Sequence, residues 1–228
     1  VNGEIEDWQE IVKNTEGRVI TFGTDRGFDY SAGEISYDSL ARPTFDFYIR
    51  GEKRDTLSLG VSGEHNVYNA LAAAAAALEA GLSLEAVKRG LLSFTGTKRR
   101  FEKKGVLNGV TIIDDYAHHP QEIRASLKTA QNYPHNRIWC VFQPHTYTRT
   151  KAFLDEFAEA LSMADCIVLA DIYAARETDT LGISSRDIAE KIERLGKKVW
   201  YFHTFEEIEE FLKKSCIHGD LLITMGAG

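Results

Sequence analysis

Beyond residue 100 the chain alternates short apolar runs with stretches whose apolar residues recur every three or four positions. The runs at 110–114, 138–142, 166–170, 198–202 and 221–225 read as strands, and 120–133, 150–162, 185–195 and 205–215 read as helices. This alternation predicts an α/β fold with a mostly parallel sheet, helices on both faces, and ligands at the carboxyl ends of the strands. Residues 101–107 and 110–114 flank Asn108-Gly109, a dipeptide that favours a tight hairpin. The first hundred residues are patterned differently. Strands are predicted at 19–22, 45–50 and 56–60, the last two joined as a hairpin through Gly51-Glu52-Lys53. Two helices follow. The first, 66–80, carries the Ala72–Ala77 run, which allows close packing, and stops at Gly81; the second, 83–92, opens on Ser83 with Glu85 in its first turn. The turn-rich Phe94-Thr95-Gly96-Thr97-Lys98 marks a change of pattern, and hence a boundary between domains at 1–96 and 97–228. There is no internal repeat.

Composition narrows the classes. The chain has 228 residues, 43% of them apolar, enough for a substantial core. With 34 acidic against 27 basic residues and a net charge of -7, it is not built for nucleic acid or an anionic membrane surface. No apolar run approaches the roughly 18 to 20 residues of a membrane span. Three widely spaced cysteines, Cys140, Cys166 and Cys216, do not make a disulfide framework and point to a reducing compartment, the cytoplasm. Val1 to Glu6 lack the features of a signal peptide and read as mid-chain sequence without an initiating Met, so the chain reads as a fragment. It stops at Met225-Gly226-Ala227-Gly228, where a strand should turn into a further helix. No feature specifies an oligomeric state.

Candidate chemistry collects at predicted strand ends. The strand Thr111-Ile112-Ile113 runs out into Asp114-Asp115-Tyr116-Ala117-His118-His119 before Pro120, which suits a first helical turn. One such residue is more simply a helix cap or a solvated loop side chain; two Asp, a Tyr and two His together favour function. Adjacent histidines, with no HExxH and no Cys pair, argue against a metal site. One unit later the strand 138–142 delivers Gln143-Pro144-His145-Thr146-Tyr147-Thr148-Arg149. Arg149 suits a carboxylate or phosphate through its planar fork, or else merely opens a solvated helix. Lys98-Arg99-Arg100 is either a solvated charged face or a phosphate grip at the domain junction. In Gly63-Glu64-His65-Asn66-Val67-Tyr68-Asn69, Asn66 or a neighbour is a helix N-cap, or its amide meets an adenine edge. The loop Asp171 to Thr178 lines the same rim. The chain holds no P-loop, GxGxxG or GxSxG.

Taken together, His65 to Ala73, Gly96 to Glu102, Asp114 to Pro120, Phe142 to Lys151, Asp171 to Glu177 and Gly226-Ala227-Gly228 resemble the Mur ligase family across essentially the whole chain. The double His before Pro and the Phe-Gln-Pro-His are similar to the branch that adds L-alanine to UDP-N-acetylmuramic acid; branches adding D-glutamate or diamino acids differ at both places. The resemblance implies three domains: one for the UDP-sugar, a central ATP-binding one, and a Rossmann-like C-terminal one that closes over the site. On it, residues 1–96 are the latter part of the ATP-binding domain and 97–228 the C-terminal domain. It implies ATP-dependent amide formation in peptidoglycan precursor synthesis through an acyl phosphate, with ATP, Mg2+, UDP-N-acetylmuramate and L-alanine as partners. The P-loop and magnesium ligands are expected upstream, leaving this portion inactive alone. Carried onto matching positions, His65, Asn66 and Asn69 approach the adenine, Arg100 the phosphates and Asp114 the ribose. Tyr116, His118, His145 and Arg149 face the acyl centre and alanine. Many relatives carry a second Arg where this chain has Thr146, which makes the carboxylate clamp single here. The competing readings are a ligase that returns a preformed peptide to the same sugar nucleotide, and a non-catalytic nucleotide-binding module.

Overall fold

The computed structural model describes residues 1–227, which divide into two compact units, Val1–Gly96 and Thr97–Gly228. The first unit contains α1 (Trp8–Val12), β1 (Phe22–Gly23), β2 (Tyr30–Tyr37), β3 (Pro43–Ile49), β4 (Glu52–Ser58), α2 (His65–Glu79) and α3 (Leu84–Ser93). Its sheet runs β1-β2-β3-β4, antiparallel except that β1 pairs parallel with β2. Phe45, Phe47 and Leu57 of the sheet pack with Val67, Ala70, Leu71, Ala74 and Ala75 of α2, so the alanine run is the close-packed face the sequence predicts.

Three predicted boundaries in this unit are corrected. The hairpin turn is Arg50-Gly51, with φ of 50° and 79°, and Ile49 pairs with Glu52. Strand β4 therefore begins four residues before the predicted 56. Its leading Glu52-Lys53-Arg54-Asp55 shows no apolar alternation because β4 is the sheet's edge, where charge discourages pairing with another chain. The strand predicted at 19–22 survives only as Phe22–Gly23, and β2 was not predicted: Tyr30-Ser31-Ala32-Gly33-Glu34 is small and polar, and a bulge between Gly33 and Ser36 breaks its period.

The second unit follows the predicted alternation closely: β5 (Glu102–Leu107), β6 (Val110–Asp115), α4 (Pro120–Gln131), β7 (Ile138–Phe142), α5 (Tyr147–Ala152), α6 (Leu154–Leu161), β8 (Cys166–Leu169), α7 (Ser185–Arg194), β9 (Lys198–Tyr201), α8 (Phe205–Ser215) and β10 (Leu221–Met225). The order is β5-β6-β10-β7-β8-β9, parallel except for β5. The last strand lies between β6 and β7, Leu221 pairing with Thr111 on one side and Ile138 on the other. Asn108 and Gly109, at φ of 51° and 80°, make the β5-β6 turn. The single helix predicted at 150–162 is two. Phe153 leaves helical geometry (φ -116°, ψ 29°) and sets its ring edge-on to His119 at 4.8 Å.

Alternate residues of each strand serve opposite faces. On one face Asp115 meets Ser126 of α4, and Phe142 meets Phe157 of α6 at 5.4 Å. On the other, Trp139, Val141 and Val168 pack against Ile208, Phe211 and Leu212 of α8. Beside α8 this face holds a hollow of about 560 Å3 lined by Val110, Ile112, Leu222, Phe205 and Leu212. Of the candidate residues Asp114 lines it, with Arg99 beside it, whereas His118, His145 and Arg149 do not; its walls are otherwise mainly apolar, so the histidines and Arg149 lie outside it.

Candidate active site

Strand β6 ends in two carboxylates with different surroundings. Asp115 is buried; its Oδ2 accepts from Ser126 Oγ (2.7 Å) and Phe101 N (3.1 Å), and its Oδ1 from Ala117 N (2.9 Å). Burial pushes its carboxyl above the ordinary value against those hydrogen bonds. Its role is to tie the strand's exit to α4. Asp114 is half-buried, accepts from Thr224 Oγ1 at 3.1 Å and lies 3.4 Å from Arg99 Nε. Arg99 also donates to Gly226 O (2.8 Å) and covers the Tyr116 ring at 4.8 Å. Of the basic run, then, Arg99 is a strap across strand ends. Arg100 is exposed, 3.8 Å from Glu122 Oε1 and 5.8 Å from the Tyr116 ring.

The adjacent histidines part company. His119 is the N-cap of α4, its Nδ1 accepting from Gln121 N at 3.3 Å, with Pro120 in the first turn. The helix-cap reading of one residue in this cluster thus applies to His119. His118 instead lies edge-on to Tyr116 (5.3 Å between rings) and 6.1 Å from His145. Beneath it sits Glu122, whose Oε2 accepts from His118 N (3.0 Å) and His119 N (3.2 Å) and lies 3.4 Å from His118 Nδ1. Burial would raise the Glu122 carboxyl, but those amides and the neighbouring His118 and Arg100 hold it below its ordinary value. Sequence reasoning passed over Glu122. Its signal was the capping-box spacing His119-x-x-Glu122, obscured because His is not among the usual capping residues.

Strand β7 supplies the rest. His145 continues the row of rings, 5.6 Å from Tyr173, a residue not singled out from the sequence. Tyr173 N donates to Pro144 O (2.8 Å) and Thr146 N to Tyr173 O (2.9 Å), which pins the loop carrying His145. Arg149 Nη1 lies 3.3 Å from His145 Nδ1. Burial and the Arg149 charge, with His118, depress the His145 pKa. Thr146 caps α5: it accepts from Arg149 N at 3.5 Å while held at φ 68°, ψ 145°. A β-branched residue there is strained, which marks a position held by its surroundings.

The structure thus gathers Arg100, Asp114, Tyr116, His118, His145 and Arg149 at the carboxyl-terminal rim of one sheet. His65, Asn66 and Asn69 belong to the other unit, at the start of α2. Asn66 is not the N-cap; its Nδ2 donates to Ser62 O (2.7 Å) and its Oδ1 accepts from Asn69 Nδ2 (3.0 Å), which fixes both amides in place. Among the described residues no group of three or more His, Cys, Asp or Glu is placed to hold a metal ion.

Residues 99–228 match the family model described as Mur ligase, glutamate ligase domain, and residues 1–77 that of the Mur ligase middle domain. The chain belongs to the Mur ligase family. Within this Mur ligase family, a UDP-N-acetylmuramate--L-alanine ligase of Lachnospira eligens is 60% identical over all of this chain and half of its own length. The chain spans about half the length of the curated relatives it matches. The crystal structure of UDP-N-acetylmuramate-alanine ligase MurC from Thermotoga maritima is 31% identical with a TM-score of 0.77, over 92% of this chain and 44% of that one. A murein peptide ligase from Psychrobacter arcticus, at 24% identity and TM-score 0.64 over 97% and 46% of the two chains, shares the Mur ligase fold.

Proposed function

We propose that the full protein joins L-alanine to UDP-N-acetylmuramic acid with hydrolysis of ATP, in peptidoglycan precursor synthesis, and that this portion supplies part of the nucleotide site and the amino-acid site. The observation that carries the reading is the 60% identity to the Lachnospira eligens ligase over an alignment that spans the whole chain. On this reading residues 1–96 are the latter part of an ATP-binding domain, and the adenine lies by His65, Asn66 and Asn69. Arg100 serves the phosphates, Asp114 the ribose, and the P-loop and magnesium ligands lie in the remainder of the protein.

The rim is suited to acyl transfer. An acyl phosphate and an amino acid both bring anionic oxygens, and Arg149 offers a fork matched to a carboxylate. It is half-buried and aimed by its contact with His145 before any ligand arrives, so little reorganisation accompanies binding. The half-buried rings of Tyr116, His118 and His145 form a wall beside it that limits water, which would hydrolyse the activated carboxyl. Cytoplasmic placement fits the three free thiols, two of them buried.

Full-length protein given ATP, magnesium and UDP-N-acetylmuramate should release phosphate rapidly only when L-alanine is added. Equal release without L-alanine would defeat the reading, and preference for a preformed tripeptide would move the assignment to a peptide-recycling ligase. Micromolar ADP binding by residues 1–228 with no turnover by the whole protein would make the chain a nucleotide-binding module.

A further inference from the structure

The two histidines that face each other across the rim carry their ring protons on opposite nitrogens. His118 Nδ1 lies 2.9 Å from Tyr116 O. A carbonyl oxygen only accepts, so Nδ1 bears the proton and Nε2 of the neutral ring presents a lone pair. His145 Nδ1 lies 3.3 Å from Arg149 Nη1. A guanidinium only donates, so here Nδ1 is the acceptor and Nε2 bears the proton. The side chains have the same chemistry, but their partners make one a proton acceptor and the other a proton donor.

From this geometry, and resting on the ligase reading above, we infer that His118 Nε2 is the base that takes the proton from the attacking amine, that Glu122 positions it, and that His145 Nε2–H donates to the anionic oxygens of the amino acid or the acyl group. The neutral amine attacks the acyl carbon, a C–N bond forms, and the C–O bond to phosphate breaks, its electron pair leaving with the phosphate. The nitrogen's surplus proton passes to His118 Nε2. The resulting imidazolium keeps its Nδ1–H on Tyr116 O, with the Glu122 carboxylate 3.4 Å away to balance the charge. Glu122 itself is anchored by two backbone amides, so it cannot swing away as that charge appears.

The surroundings separate the two roles further. The groups facing His118 are the Tyr116 ring, His145 and the Glu122 carboxylate, beyond which lies Arg100 at 3.8 Å from Glu122. His145 faces Arg149, His118, the Tyr173 ring and, more weakly, the Glu177 carboxylate; burial and the fixed cation beside it oppose its protonation and outweigh Glu177. His118 thus has a carboxylate 3.4 Å from its Nδ1, whereas His145 has a guanidinium 3.3 Å from the same ring nitrogen.

The test uses full-length protein with ring-15N-labelled histidine and rapid-quench kinetics. Long-range 1H–15N spectra should show His118 as the Nδ1–H form and His145 as the Nε2–H form; the same form at both would overturn the inference whatever the activity. H118A should still form acyl phosphate trapped by hydroxylamine, lose amide formation by about 100-fold or more, and recover with added imidazole. H145A should raise the KM for L-alanine and gain nothing from imidazole. E122Q should lower kcat with little change in the KM for L-alanine. Equal imidazole rescue of both histidine variants, or wild-type amide formation by H118A, would sink the assignment. Failure of the wild type to use L-alanine at all would instead count against the ligase reading, leaving the tautomer result to stand by itself.

Discussion

Arg149 Nη1 rests 3.3 Å from His145 Nδ1, four residues back along the chain and on the other side of a strained threonine. The contact holds the guanidinium on the rim before a ligand arrives. Replacing Arg149 by Ala removes a charged hydrogen-bond donor of about 1.5–3 kcal/mol, so the KM for L-alanine should rise about 10- to 100-fold in the full-length protein. Unchanged alanine kinetics would refute the role. In the same variant the His145 pKa should rise, because one of the charges depressing it is gone, and NMR titration of the ring reads this directly.

Thr146 provides a second expectation. A residue at φ 68° and ψ 145° sits in a region only glycine occupies freely, at a cost of about 1–3 kcal/mol. Thr146→Gly relieves that strain and loses the long 3.5 Å cap to Arg149 N together with the side-chain hydrogen bond to Glu177. Melting temperature should therefore increase while alanine use worsens, since Arg149 is less firmly held. A fall in melting temperature would show that the cap and the Glu177 bond outweigh the strain.

Asp220 is 1% exposed and accepts from Arg137 Nη2 (2.6 Å), Trp139 Nε1 (2.9 Å) and Ile217 N (3.0 Å). Burial would raise its pKa, but these donors outweigh it and hold the group below its ordinary value. A carboxyl depressed in the native state adds stability that is complete above the unfolded value and is lost as pH falls through the native one. D220A should cost about 2–4 kcal/mol at neutral pH. In urea titrations the gap between wild type and D220N should close as the pH drops below about 4; a constant gap would contradict this.

Gly109 combines a φ of 80° with a lack of space, since an added Cβ would lie 2.1 Å from the His218 ring. Ala at this position should destabilise the unit by about 1–3 kcal/mol. H218A in the same chain should restore the part due to the clash and leave the part due to the backbone; full restoration would mean the turn carries no strain.

What the sequence revealed, and what it hid, follows from the range of the interactions. Apolar runs such as Ile138 to Phe142 identify buried parallel strands locally, and the polar clusters at their ends marked Tyr116, His118, His145 and Arg149, all found on one rim. The position of β10 between β6 and β7 depends on pairings more than eighty residues apart, such as Leu221 with Ile138, and has no local signature. Strand β2 was missed because its glycine and serines mimic a loop, and the break at Phe153 because the cause is a ring contact with His119, thirty-four positions away. Glu122 escaped notice for a chemical reason: its partner in the capping box is a histidine.

The insertion of β10 also orders events in time. The tips of β6 and β7 carry the facing histidines, and the strand between them keeps those tips about 10 Å apart at ordinary strand spacing. Residues 221–225 leave the ribosome after every other described strand of the sheet. Until they thread into the gap, β6 and β7 have no common neighbour and the rim has no defined width. A chain lacking that strand would hold every side chain of the rim and still leave the two histidine-bearing tips without a set separation, so the geometry of the rim depends on the pairing of β10.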